Sequence, residues 1–112
     1  MANVYKNIQA KVTSAGSFDD MYTAPAETTS IVKTIKLFNT HGSALDVEIK
    51  IYDASSTTDY KYDIANVTAS DGVDLLTFNN ILILEAGDII RMKCATGNVI
   101  KMTAAVLQTS RT

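Results

Sequence analysis

Few residues in this chain could do chemistry. Its 112 residues include one cysteine and one histidine. Cys94 falls in Ile89-Ile90-Arg91-Met92-Lys93-Cys94, where alternation places it with Ile90 and Met92. A reactive thiol needs a basic neighbour. The only histidine, His41, lies in Asn39-Thr40-His41-Gly42-Ser43, which reads as a turn. Cys94 is therefore expected to be a small buried hydrophobe. One Cys and one His fall short of a tetrahedral zinc set, and the histidine has no orienting partner for a nucleophile triad. The five glycines are scattered singly, so no phosphate-cradling loop is present. Carboxylates remain. Asp19, Asp20, Asp71, Asp74 and Asp88 could gather at one end of a fold and hold calcium, an oxygen-loving cation. They lack the spacing of a calcium loop, and aspartate favours turns, so solvated turn residues are expected instead. Nothing predicts a cleft around a carboxylate pair. Tyr52, Tyr60 and Tyr62 could form a sugar-binding face, but tryptophan is absent and aromatics make only 7% of the chain. Tyr60 and Tyr62 alternate with Ile64, which favours packing in the core or at a sheet edge. The chain is expected to be no enzyme, with no catalytic residue, cofactor or metal.

The elements that carry these residues have a period of two. In Leu45-Asp46-Val47-Glu48-Ile49-Lys50-Ile51 the odd positions are apolar and the even ones charged. A strand sends successive side chains to opposite faces, so this one has a core face and a wet face. A polar turn at 53–59 joins it to a second alternating run at 60–64, which reads as a hairpin. Upstream, 29–39 is a strand whose parity is broken at Lys33, and a bulge near Val32 would restore it. Further strands are expected at 4–12, 18–22, 73–78, 81–84, 89–94 and 99–107. The runs at 81–84 and 89–94 flank Glu85-Ala86-Gly87-Asp88, a tight turn expected to close a hairpin, with Gly87 at positive φ. Pro25 ends the strand at 18–22 and stiffens the corner that follows.

This gives eight or nine short strands with no helical stripe. Residues 1–112 are expected to form one all-β antiparallel sandwich, Ig-like or jelly-roll-like, with 1–12 as an N-terminal arm or strand. Ten basic and twelve acidic residues argue against a nucleic-acid partner. No apolar run is long enough for a membrane-spanning helix. No secretory signal is visible at the N-terminus, and the lone cysteine fits synthesis in a reducing cytoplasm.

Three segments stand out together: Tyr5-Lys6-Asn7-Ile8, then Met21-Tyr22-Thr23-Ala24-Pro25-Ala26 leading to Thr29-Ser30-Ile31-Val32-Lys33-Thr34-Ile35, then Leu82-Ile83-Leu84-Glu85-Ala86-Gly87-Asp88-Ile89-Ile90. In this order and spacing they resemble small virion structural proteins of tailed bacteriophages. The resemblance implies a β-sandwich, a place in the virion and no catalytic residue. It implies partners among major capsid or tail proteins and a homo-oligomer. A capsid decoration (cement) role leads. A tail, adaptor or fibre-associated role is the alternative within that class, and a carbohydrate- or host-surface-binding module is the alternative outside it.

A candidate interface follows from the strands that are apolar on both sides. In 81–84, Ile81 and Ile83 share one side while Leu82 and Leu84 share the other. In 99–107, Ile100, Met102, Ala104 and Val106 line one side, and Val99, Ala105 and Leu107 lie partly on the other. A two-layer sandwich covers one face of each sheet, so the remaining face is covered by loops or by another subunit. Docking is expected through a surface that includes Leu82 and Leu107.

Overall fold

The computed structural model describes residues 3–77 and 80–110. Among them are nine strands: β1 (Asn3–Lys11), β2 (Asp19–Thr23), β3 (Thr28–Asn39), β4 (Leu45–Asp53), β5 (Thr58–Val67), β6 (Asp71–Leu76), β7 (Leu82–Leu84), β8 (Ile89–Cys94) and β9 (Ile100–Ser110). Phe78, expected at the end of the sixth strand, lies outside the described residues. No helix among those described is long and apolar enough to cross a membrane.

Two antiparallel sheets face each other. One has the order β1-β9-β3-β6, with β7 also pairing β3, and the other has the order β2-β8-β4-β5. The first is called here the front sheet and the second the back sheet. The winding is simple. The hairpin β4–β5 closes the middle of a long antiparallel ribbon, in which β3 pairs β6 and β7, β2 pairs β8, and β1 pairs β9. Rolling that ribbon sets β9 beside β3 and β8 beside β4, which makes two sheets from one ribbon. This is the jelly-roll form of the sandwich rather than the Ig-like one.

The period-two pattern explains the core. Val47 and Ile49 from β4, Ile90, Met92 and Cys94 from β8, and Ile100, Met102, Ala104 and Val106 from β9 are all buried between the sheets. The alternation is cleanest in β9, whose buried and exposed residues alternate from Ile100 through Val106. The parity break in β3 is a bulge, with the register to β9 shifting between Val32 and Thr34. Lys33 is the extra residue, so Val32 and Ile35 both reach the core.

One expected connection differs. Residues 85–88 do not close a hairpin, because β7 belongs to the front sheet and β8 to the back. The turn carries the chain across the sandwich. Alternation reports which side of a strand is buried, not which strand lies beside it. Gly87 does have positive φ, at 89°. A β-carbon there would sit 3.0 Å from that of Ala54.

That crossing is fixed at a corner with the Pro25 loop. Ala24 N–H donates to the Asp88 carbonyl and Gly87 N–H to the Ala24 carbonyl, each at 2.9 Å. The Asp88 carboxylate accepts from Ala54 N–H at 3.0 Å and from Glu85 N–H at 2.9 Å. Two crossovers and the β4–β5 turn therefore meet around one residue, Asp88. At the other end, fully buried Asn39 donates to the carbonyls of Ser43 and Val67 and accepts from His41 N–H.

Candidate interaction surface

The outer faces of the two sheets are built differently. On the front sheet, register places Tyr5 opposite Leu107, Leu107 opposite Ile31, and Ile31 opposite Ile83. Residues directly opposite in a sheet share a face. The inward neighbours of these positions include Val106, Val32 and Leu84, all buried. Tyr5, Leu107, Ile31 and Ile83 therefore form one apolar row that crosses four strands on the outside. Tyr5 is 72% exposed and Ile83 58% exposed. One lysine stands beside the row, and others lie farther along the face. Lys33, thrown outward by the bulge, holds its Nζ 5.5 Å from the Tyr5 ring centre. Lys11 lies opposite Lys101, and Lys36 lies opposite Thr103 and Asp74. A shallow concavity of about 470 Å³ opens on this face, lined by Tyr5, Lys6, Asn7, Thr34, Thr103, Ala104 and Ala105. It holds no acid–base pair.

The outer face of the back sheet is a charged lattice. Arg91 bonds Asp20 at 2.9 Å and Asp59 at 3.0 Å, and its guanidinium lies 4.6 Å from the Tyr52 ring centre. Lys93 pairs with Glu48 at 3.6 Å. Lys50 and Lys93 both sit over the Phe18 ring, at 4.3 and 5.0 Å. Cations on ring faces and carboxylates leave little bare apolar surface there.

The structure separates the two candidate interface leucines. Leu107 belongs to the outer row, half-buried by its neighbours. Leu82 is also half-buried, but it packs against the core on the side of Leu84. Ile83 stands where the outer row needs a residue from that strand. Both sides of 81–84 are apolar, so only the pairing to β3 decides which residue faces out.

The other candidates fall where their chemistry is ordinary. Cys94 is buried, as expected. His41 accepts from Ser43 N–H through Nδ1 at 3.2 Å, within the β3–β4 connection. The aspartates do not gather, and among the described residues no three His, Cys, Asp or Glu side chains come together to hold a metal. Asp19 accepts from the Ser14 and Thr13 N–H groups, which hold its carboxyl below the usual range. The Gly72 N–H and the Thr68 hydroxyl do the same for Asp71. The tyrosines make no single platform. Tyr52 stands on the outer face beneath Arg91, whereas Tyr60 and Tyr62 lie exposed along β5, the edge of the back sheet.

Sequence reasoning missed Asn39 and the Tyr22–Ser30–Gln108 chain. The Tyr22 hydroxyl bonds buried Ser30 at 2.8 Å and accepts from Gln108 at 2.8 Å. Each joins distant segments, and no local pattern marks them.

No protein-family model matches the chain, and no curated protein matches it in sequence. Among solved structures, a chain in the acidic stable capsid of Helicobacter pylori bacteriophage KHP30 is similar over 99% of this chain and 94% of that one, with a TM-score of 0.62 and 11% identity. A chain of the disulfide-linked pili that form Bacillus endospore appendages is similar over 98% of this chain and 89% of that one, with a TM-score of 0.59 and 10% identity. At these identities the likeness is one of fold.

Proposed function

We propose that this chain is a non-enzymatic structural subunit of a phage virion, and specifically a capsid decoration protein that binds neighbouring capsid subunits. The observation that carries this reading is the outer face of the front sheet, where an apolar row is left open and no catalytic pair stands near it. An exposed apolar patch on a folded domain usually marks a protein interface. Burying one side chain such as Ile83 against a partner contributes roughly 1.5–3 kcal/mol before ordering costs. The fold alone does not assign the role, because jelly rolls serve many functions. The phage-capsid and pilus chains that share the fold, together with the resemblance of three sequence segments to virion proteins, support an assembly role.

The test is incorporation. Particles assembled in cells that make equal amounts of wild-type and Ile83→Asp chains are purified and their protein content is measured. Wild-type chain in many copies per particle, with the variant excluded, is the expected outcome. A few copies per particle would move the subunit to the tail or portal vertex. Equal incorporation of the variant would overturn docking through this face.

A further inference from the structure

We infer that strand β1 of one copy pairs antiparallel with β1 of a second copy, across a two-fold axis at Ile8, and so joins two front sheets into one. This names one partner within the assembly reading above, and it uses the edge of the sheet rather than its outer face. Backbone geometry shows which groups are open. Val12 N–H donates to the Ile100 carbonyl, and β1 runs opposite β9 from Lys11 back to Asn3 without a shift in register. Antiparallel pairing turns alternate residues toward each neighbour. Lys6, Ile8 and Ala10 therefore spend their N–H and C=O groups on β9, while Tyr5, Asn7, Gln9 and Lys11 aim theirs at the free edge. The other edges are interrupted. Strand β2 has five residues and a shift between Asp20 and Tyr22. Strand β5 shifts beside Ile49 and Lys50, and its Ile64 N–H is taken by the Asp63 carboxylate at 2.8 Å. Strand β6 shifts beside Ile35 and Lys36, and its Gly72 N–H is taken by the Asp71 carboxylate at 2.8 Å. Strand β7 has three residues. Among the described edges, β1 alone offers nine residues in an unbroken run. Natural sheets blunt their edges, so a long regular one is a template for another strand.

The strand complements itself in one register. In a two-fold antiparallel pair, residues placed symmetrically about the axis lie opposite each other and share a face. Strand β1 turns Lys6, Ile8 and Ala10 inward, opposite buried Val106, Ala104 and Met102. An axis at Lys6 would set lysine on lysine, and an axis at Asn7 would set the two Lys6 side chains diagonally adjacent. An inward lysine keeps edges apart, and here it forbids those two registers. An axis at Ile8 sets Ile8 on Ile8, Lys6 on Ala10, Asn7 on Gln9 and Tyr5 on Lys11. The half-buried Ile8, already packed on the core, is then sealed by its own copy. The open backbone groups of Tyr5, Asn7, Gln9 and Lys11 all meet open groups, and exposed Tyr5 gains a second cation near its ring. No other described edge of this chain can match β1 over that length without a shift. A two-fold contact uses the same patch twice, so it closes as a dimer.

The experiment measures mass by light scattering on the purified full chain across a wide concentration range, together with cysteine cross-linking. Wild type is expected to reach a dimer and stop. The Asn7 N–H faces the free edge, so Asn7→Pro removes bonds between copies and leaves the β9 ladder whole. That variant is expected to keep the wild-type circular dichroism spectrum and to dimerise at least about tenfold more weakly. Two Ile8 residues on the axis have α-carbons about 4.5 Å apart, within the span of a disulfide. On mild oxidation Ile8→Cys is expected to give a covalent dimer that reductant reverses, and Lys6→Cys is expected to give none. The natural Cys94 is buried and does not interfere. Where Asn7→Pro fails to fold, the two cysteine variants decide. A wild type that stays monomeric overturns the inference, as does growth beyond a dimer, a folded Asn7→Pro chain that dimerises like wild type, or cross-linking at Lys6 rather than Ile8. If wild type is monomeric yet the Ile83→Asp chain is excluded from particles, this inference falls and the assembly reading stands. If wild type dimerises as described yet Ile83→Asp enters particles freely, docking through the front face falls and the β1 pairing stands.

Discussion

The two outer faces share one core and almost the same strand architecture, yet they use their outward positions in opposite ways. On the back sheet, Glu48, Lys50, Arg91 and Lys93 spend their charges on one another and on aromatic rings. On the front sheet, the outward positions of β1, β9, β3 and β7 hold Tyr5, Leu107, Ile31 and Ile83. The back face binds its own charges, and the front face leaves apolar groups unmatched. Period-two alternation makes the choice independent on each side of a strand, so a stable core places no demand on what lies outside it.

The comparison breaks most sharply if inside and outside are exchanged. Ile35, fully buried in β3, is expected to cost about 2–5 kcal/mol when changed to Ala, whereas Ile83→Ala is expected to fall within about 0.5 kcal/mol of wild type. Urea unfolding reads both, and a large loss from Ile83→Ala would mean that the front row is already covered. Next comes the corner that holds the faces in place. Gly87→Val is expected to lower stability by roughly 1–3 kcal/mol, from positive φ and contact with Ala54. An unchanged melting midpoint would mean that the corner adapts freely.

Leucine substitutions sharpen the boundary between core and face. Leu82→Lys is expected to destabilise by about 1–3 kcal/mol, because its side chain packs on the core. Leu107→Lys is expected to leave folding nearly intact while reducing particle incorporation. If both unfold the chain, Leu107 is a core residue. If both leave it folded and assembling, neither leucine matters to docking. The smallest effect belongs to acid. Asp19, Asp53 and Asp71 have carboxyls held below their ordinary value of 3.8 by local hydrogen bonds. A depressed folded value stabilises the fold above the unfolded value, and that contribution disappears as pH falls through the folded one. A melting temperature that is flat near neutrality and declines below about pH 4 is expected, with the decline softened in Asp19→Asn. A decline that begins near pH 6 would point to another group.

Much of the fold was legible because burial and alternation are local. The strand at Leu45 announced both its faces, and the misplaced Lys33 announced the bulge. What was not legible is pairing at a distance. Nothing near Gly87 says that β7 turns to β3 and β8 to β4, and so Ile83 and Leu82 could not be told apart. The same limit hid Asn39, whose partners Ser43 and Val67 come from the β3–β4 connection and the end of β5. Of the two leucines expected at a surface, the register turns Leu107 outward, and the rest of its row needed the register of four strands.

That register has a kinetic consequence. The row draws Tyr5 from the first strand and Leu107 from the last, and Asn3 lies opposite Thr109. Contacts between opposite ends of a chain form late, because closing a long loop is entropically costly and slow. The β4–β5 hairpin, by contrast, closes across a short turn. A nascent or truncated chain can therefore display the β5 edge before it owns a front face. The front row therefore exists only once β1 and β9 have come together, whereas the β5 edge needs only its own hairpin.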